Sequence, residues 1–154
     1  MSVKIRSKKM ENIYKKYRKL AGLTQEKAAE HLNISIDTIK RYENCTYIPP
    51  NDIARRMCLL YGDMKLAYEH LENSQVGAMV LPPLKDKDLC CSMLGFLNSL
   101  QNIDKKKTEL ISIASDGIIS DHELKSWEEA EKLIGNMIKS SFELLYRREN
   151  NDKD

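Results

Sequence analysis

YKKYRKLAGLTQEKAAEHLNISIDTIKRYENCTYIPPNDIARRMCLLY, residues 14–61, divides itself into four short helices. Gly22 stops the first, a run from about residue 9 to residue 21 with Ile13, Tyr17 and Leu20 on one side and Lys15, Lys16 and Lys19 largely on others. Thr24 is a natural N-cap for the second, residues 25–32, whose buried side is Ala28, Ala29 and Leu32. After a tight turn at Asn33, Ser35 caps the third, residues 36–44, with Ile39 and Tyr42 facing inward. Two prolines make residues 45–51 a loop, and the fourth helix runs over residues 51–61 to Gly62. Small Ala29 lets the second and third helices cross closely, with Leu23, Leu32, Ile34 and Ile39 filling the space between them. A third helix braced in this way protrudes, and a protruding helix fits the major groove of B-DNA, about 12 Å wide.

Beyond this stretch Asp63 caps a short fifth helix ending near residue 72. Residues 73–87, NSQVGAMVLPPLKDK, hold a glycine and two adjacent prolines and mark a linker. Val76, Met79, Val80 and Leu81 are too apolar for a fully solvated tether, so part of it is expected to pack on a domain. Three more helices are predicted over residues 88–101, 104–115 and 121–147, and the last residues, 149–154, read as a frayed tail. The expected organisation is all-α: residues 1–72 a five-helix domain, residues 88–148 a small domain of about three helices. The stripes Leu89, Met93, Leu97, Leu100 and Leu124, Trp127, Ile134, Met137, Ile138 exceed what three helices can cover, which predicts a homodimer through this second domain.

The net charge of +2 hides an asymmetry. Residues 1–62 carry 13 Lys and Arg against 6 Asp and Glu, net +7, whereas the remainder carries 12 against 17, net −5. A polyanion partner suits the first segment and not the second. Lys4, Arg6, Lys8 and Lys9 form a candidate arm for a DNA backbone or minor groove. The basic start lacks a signal-peptide core and no run of about 20 apolar residues occurs, so the expectation is a cytoplasmic protein without membrane contact.

Residues 14–61 resemble the Cro/lambda-repressor-like helix-turn-helix family, often called the XRE family. The resemblance rests on Arg18, the block LTQEKAA, the short turn, Ile39, the YEN element and Pro49. It implies a sequence-specific transcriptional regulator bound to double-stranded DNA, as a dimer on two-fold half-sites about 34 Å apart. It places Ile36, Asp37, Thr38 and Arg41 at base-reading positions and Gln25, Lys40 and Asn44 at backbone-contacting ones. Arg41 can pair bidentately with guanine, and Ile36 can meet a thymine methyl. Asp37, repelled by phosphate, is better suited to stabilising the start of its own helix. The family also implies a largely buried Arg18–Glu43 ion pair. Cys45 departs from the pattern by standing where glycine is usual, and the base-reading set lacks the frequent glutamines, which leaves the operator open. The whole chain, with YGD, LAYEHL and IASDGIISDHEL, is similar to regulators of Gram-positive bacteria and their prophages. A switch of that kind also needs a release signal, an antirepressor or another protein of open identity.

Other chemistry finds little support. No nucleophile–base set, phosphate loop or cofactor motif stands out, so no enzyme is expected. Asp116, Gly117, Ile119 and Glu123 echo a calcium loop, but Ser112 and Ala114 fall where oxygen ligands are essential, and a corner with Gly117 left-handed and Ser120 and Glu123 as a capping box explains them. No metal is expected there or at the isolated His31, His70 and His122. Cys45, Cys58, Cys90 and Cys91 lack metal-ligand spacing and read as packed or free thiols. The alternative to a DNA regulator is an interaction adaptor or antitoxin-like protein whose helix-turn-helix no longer reads bases.

Overall fold

The computed structural model describes residues 12–147, which form eight helices and no strand. They are α1 (Ile13–Leu20), α2 (Gln25–Leu32), α3 (Ile36–Glu43), α4 (Asn51–Tyr61), α5 (Lys65–Glu72), α6 (Gly77–Val80), α7 (Leu89–Ala114) and α8 (Leu124–Leu145). Two compact units result, one ending at Leu81 and one beginning at Pro82. The basic arm, the first residues expected in α1 and the C-terminal tail lie outside the described residues.

Local chemistry sets the boundaries of the first unit. The side chains of Thr24 and Ser35 accept from the backbone N–H of Lys27 and Thr38, satisfying donors that a helix start leaves free. Asp63 does the same for Lys65 N–H at 2.8 Å. α1 begins at Ile13, later than the sequence pattern predicts, because Asn12 is extended and caps it, accepting from Lys15 N–H at 2.8 Å. Left-handed Gly22, Asn33 and Gly62 turn the chain after α1, α2 and α4. Leu32, Ile39, Met57 and Leu66, all but inaccessible, form the centre of the core, with Ile13, Tyr14, Tyr17, Ala28 and Ala29 around them. Leu20, expected on the buried side, is exposed, and Arg18 takes the inward position instead.

Cys45 adopts the left-handed conformation itself, with φ 58°, while Asn44 keeps φ −93°. A side chain in that region costs about 1–2 kcal/mol. Nearby, buried His70 bridges three elements: the Tyr14 hydroxyl donates to Nδ1 at 2.8 Å, and Nε2–H donates to Asn51 Oδ1 at 2.9 Å. Burial pushes its pKa below the usual histidine value.

The linker packs less than its composition predicts. α6 joins the first unit through Gly77, where an added Cβ would lie 1.7 Å from the Leu71 carbonyl oxygen. Val76, Met79 and Val80 remain exposed, because a single turn anchored by its glycine turns its larger side chains outward.

In the second unit, the break predicted between residues 101 and 104 is absent. α7 runs unbroken for 26 residues, and the unit is a two-helix hairpin rather than three helices. Asn102 and Asp104 are weak helix formers, but neither is Gly or Pro. Lys106 holds the stretch, reaching Glu109 at 2.8 Å and Glu129 of α8 at 3.1 Å. Since α7 does not bend back, its stripe stays open among the described residues: Leu89, Met93, Leu97 and Leu100, expected to be buried, are 40–53% exposed. The seam between α7 and α8 buries Ser92, Ile113, Ala130, Ser140 and Glu143. Burial raises the Glu143 carboxyl, but the Lys87 ammonium and the Lys85 N–H outweigh it and hold the group below its usual value. Gly117 is left-handed in the corner, and the Glu123 carboxylate accepts from Ser120 N–H at 3.0 Å. Cys58 is buried, whereas Cys45 and, in the first turn of α7, Cys90 and Cys91 are exposed free thiols.

Cys45→Gly is expected to raise stability by about 0.5–1 kcal/mol, relief of the strained φ outweighing the added freedom of the unfolded chain. Calorimetry showing no rise in Tm contradicts that. His70, more acidic folded than unfolded, contributes stability that is complete above about pH 6.5 and is lost as pH falls toward its folded value. Tm should therefore decline between pH 7 and pH 5 in the native chain, and stay flat over that window in His70→Gln, though lower throughout.

Candidate nucleic-acid interface

The site grows from a buried ion pair. Arg18 of α1 meets Glu43 of α3 through two parallel contacts, Nε to Oε1 at 2.5 Å and Nη2 to Oε2 at 2.9 Å, and both side chains are more than 90% buried. The third guanidinium nitrogen donates to the Leu23 carbonyl at 2.6 Å, and Gln25 Nε2 donates to Glu43 Oε2 at 2.8 Å. One cluster thus joins α1, the start of α2 and the end of α3. Burial alone lifts the Glu43 carboxyl, yet hydrogen bonds from Arg18 and Gln25 hold it below its usual value. The same bond from Glu43 raises the Arg18 guanidinium further. Asn12 adds a tie, donating to the Tyr42 carbonyl at 2.8 Å.

So anchored, α3 turns Ile39, Tyr42 and Glu43 inward and leaves Ile36, Asp37, Lys40, Arg41 and Asn44 exposed. Thr38 is half-buried, its hydroxyl 2.8 Å from that of Ser35. Asp37 lies 3.7 Å from Lys40 and in the first turn, where the helix dipole favours its charge. Gln25 is also half-buried, with its amide nitrogen committed to Glu43.

Arg41 has a neighbour that sequence reasoning missed. The left-handed Cys45 folds the loop back, so that Thr46 and Tyr47 N–H donate to the Arg41 carbonyl at 2.9 and 3.3 Å. The exposed Tyr47 ring then stands 5.8 Å from the Arg41 guanidinium, a cation–π contact that restricts its rotamers. An aromatic residue soon after a glycine-like position was the available signal. Gln25 as a partner of the ion pair was also unforeseen, since nothing in spacing shows which end of α2 faces Glu43.

This is two short helices at a tight turn, the second exposed along one face. A family model described as a helix-turn-helix domain matches residues 15–62. These residues form a helix-turn-helix domain. No curated protein and no solved structure matches the chain. A helix-turn-helix domain is a DNA-binding module of regulators, which agrees with the basic charge of residues 1–62. No helix among the described residues is long and apolar enough to cross a membrane, and no three potential metal ligands gather among them.

Removing either partner of the buried pair leaves an uncompensated charge, so Arg18→Ala or Glu43→Ala should lose about 3–5 kcal/mol of stability. Arg41→Ala, by contrast, should leave Tm within a degree or two of the native value. Thermal melts of the three variants decide it, and a large drop for Arg41→Ala means that this side chain is structural.

Proposed function

We propose that the chain is a sequence-specific transcriptional regulator of the XRE type, of the kind carried by Gram-positive bacteria and their prophages, acting as a repressor. It occupies a two-fold operator as a homodimer held by its second domain. In this reading residues 1–72 bind DNA, residues 73–87 link, and residues 88–148 assemble the dimer. The observation that carries the reading is the exposed row Ile36, Asp37, Lys40 and Arg41 on a helix fixed from behind by Arg18 and Glu43.

Arg41 reads guanine O6 and N7, with Tyr47 limiting the orientations from which it must be recruited. Ile36 meets a thymine methyl, and Thr38 reaches a base edge from the first turn. Asp37 keeps Lys40 close and stabilises the helix start rather than contacting phosphate. Lys40, Asn44 and the second amide N–H of Gln25, whose other N–H goes to Glu43, contact the backbone. Placed there, these groups position the helix, while specificity comes from Arg41 and its neighbours.

Selection from a random DNA pool should return a two-fold motif with a guanine at one fixed place in each half-site. Arg41→Ala should flatten preference at that place by about 1–3 kcal/mol. Lys40→Ala should weaken all sequences alike and reduce the log–log salt slope by about 2, one phosphate for each subunit. Absence of any DNA binding at low salt would overturn the proposal in favour of an interaction adaptor or antitoxin-like protein.

A further inference from the structure

The uncovered stripe on α7 has a regularity that apolar leftovers need not have. Met93, Leu97, Leu100, Asp104, Lys107, Ile111 and Ala114 follow one another at spacings of four, three, four, three, four and three residues. That is the core spacing of a coiled coil, sustained over about 32 Å of helix. α8 does not occupy it, since the seam uses another side of α7, the one carrying Ser92 and Ile113. An apolar groove of about 360 Å³ runs along the second half of the stripe, lined by Leu100, Ile103, Leu110, Ile111 and Ala114, with Asp104 and Lys107 among them.

The stripe holds only two charges, of opposite sign, three residues apart at its centre. We propose that this stripe is the homodimer contact, with α7 of one copy packed antiparallel on α7 of a second across a two-fold axis between Lys105 and Lys106. The inference rests on the dimer in the functional proposal and specifies its surface. In antiparallel coiled coils, layers pair a position of one heptad class with one of the other. The stated axis then sets Asp104 against Lys107 of the second copy, Leu100 against its Ile111 and Leu97 against its Ala114. Each pair occurs twice, and both charges meet their opposites. A parallel dimer sets Asp104 against its own copy and Lys107 against its own, and a slip of one heptad sets both charges against apolar residues, Leu100 and Leu97 or Ala114 and Ile111; each costs energy. Charge therefore selects direction and register together.

Ile134, Ile138 and Leu145 of α8 are likewise exposed.

Sedimentation equilibrium of the full chain tests this. The native protein should be a dimer at micromolar concentration. Asp104→Lys and Lys107→Asp should each raise the dissociation constant at least tenfold, and the double variant Asp104→Lys/Lys107→Asp should bring it back to within about threefold of native, with helicity by circular dichroism unchanged. A photo-crosslinking residue at position 100, in a mixture of light and heavy chains, should attach to the partner's segment around Ile111 whether or not the charge variants fold. A native monomer overturns the functional proposal's dimer and this inference together. A native dimer indifferent to the single reversals, not restored by the double variant, or crosslinked elsewhere overturns the inference alone.

Discussion

Everything in the first unit that concerns DNA depends on two charges kept out of water. Arg18 and Glu43 are costly to bury singly, and the pair is tolerable because each guanidinium nitrogen makes a hydrogen bond: two to the carboxylate, one to the Leu23 carbonyl. Such a pair has one good geometry where an apolar contact has many. It fixes the rotation of α3 about its own axis, and that rotation decides whether Arg41 faces solvent or the core. Gln25 extends the constraint to α2. The pair is better understood as setting orientation than as adding stability.

The second unit reverses the usual arrangement of polar and apolar groups. Its helices meet over serines, an alanine, Ile113 and Glu143, which Lys87 neutralises, while most of the leucines and isoleucines on the two helices stay exposed. A hairpin built this way gains little from its own seam and much from whatever covers the outer face. The acidic character of this part of the chain, net −5 beyond residue 62, keeps it from competing for phosphate with the basic segment.

How much of this was legible follows from how local each signal is. Thr24, Ser35, Gly22 and Gly62 act within a turn of where they stand, and the ends of α2 and α4 lie where those residues predict. All-helical character and the helix-turn-helix domain were equally readable. The continuity of α7 was not, because Asn102 and Asp104 weaken a helix without ending it, and the deciding contact, Lys106 to Glu129, comes from 23 residues away. Periodicity revealed the apolar stripes of α7 and α8, but periodicity shows which residues share a side and not which side is covered. Seam and stripe were thus exchanged. In the site, exposure of the α3 row follows from the inward positions of Ile39 and Tyr42, whereas Tyr47 beside Arg41 depends on a left-handed turn at Cys45 that a cysteine does not signal.

That residue, Cys45, links strain to recognition. A β-carbon at φ 58° is unfavourable, yet the turn it permits returns two backbone N–H groups to the Arg41 carbonyl and carries Tyr47 to the guanidinium. An arginine at a helix end otherwise samples many rotamers, and binding a base edge must freeze them at a cost of up to about 2 kcal/mol. A ring standing beside it removes part of that freedom before DNA arrives. In the proposed reading, the turn through Cys45 thus preorganises the Arg41 side chain for binding.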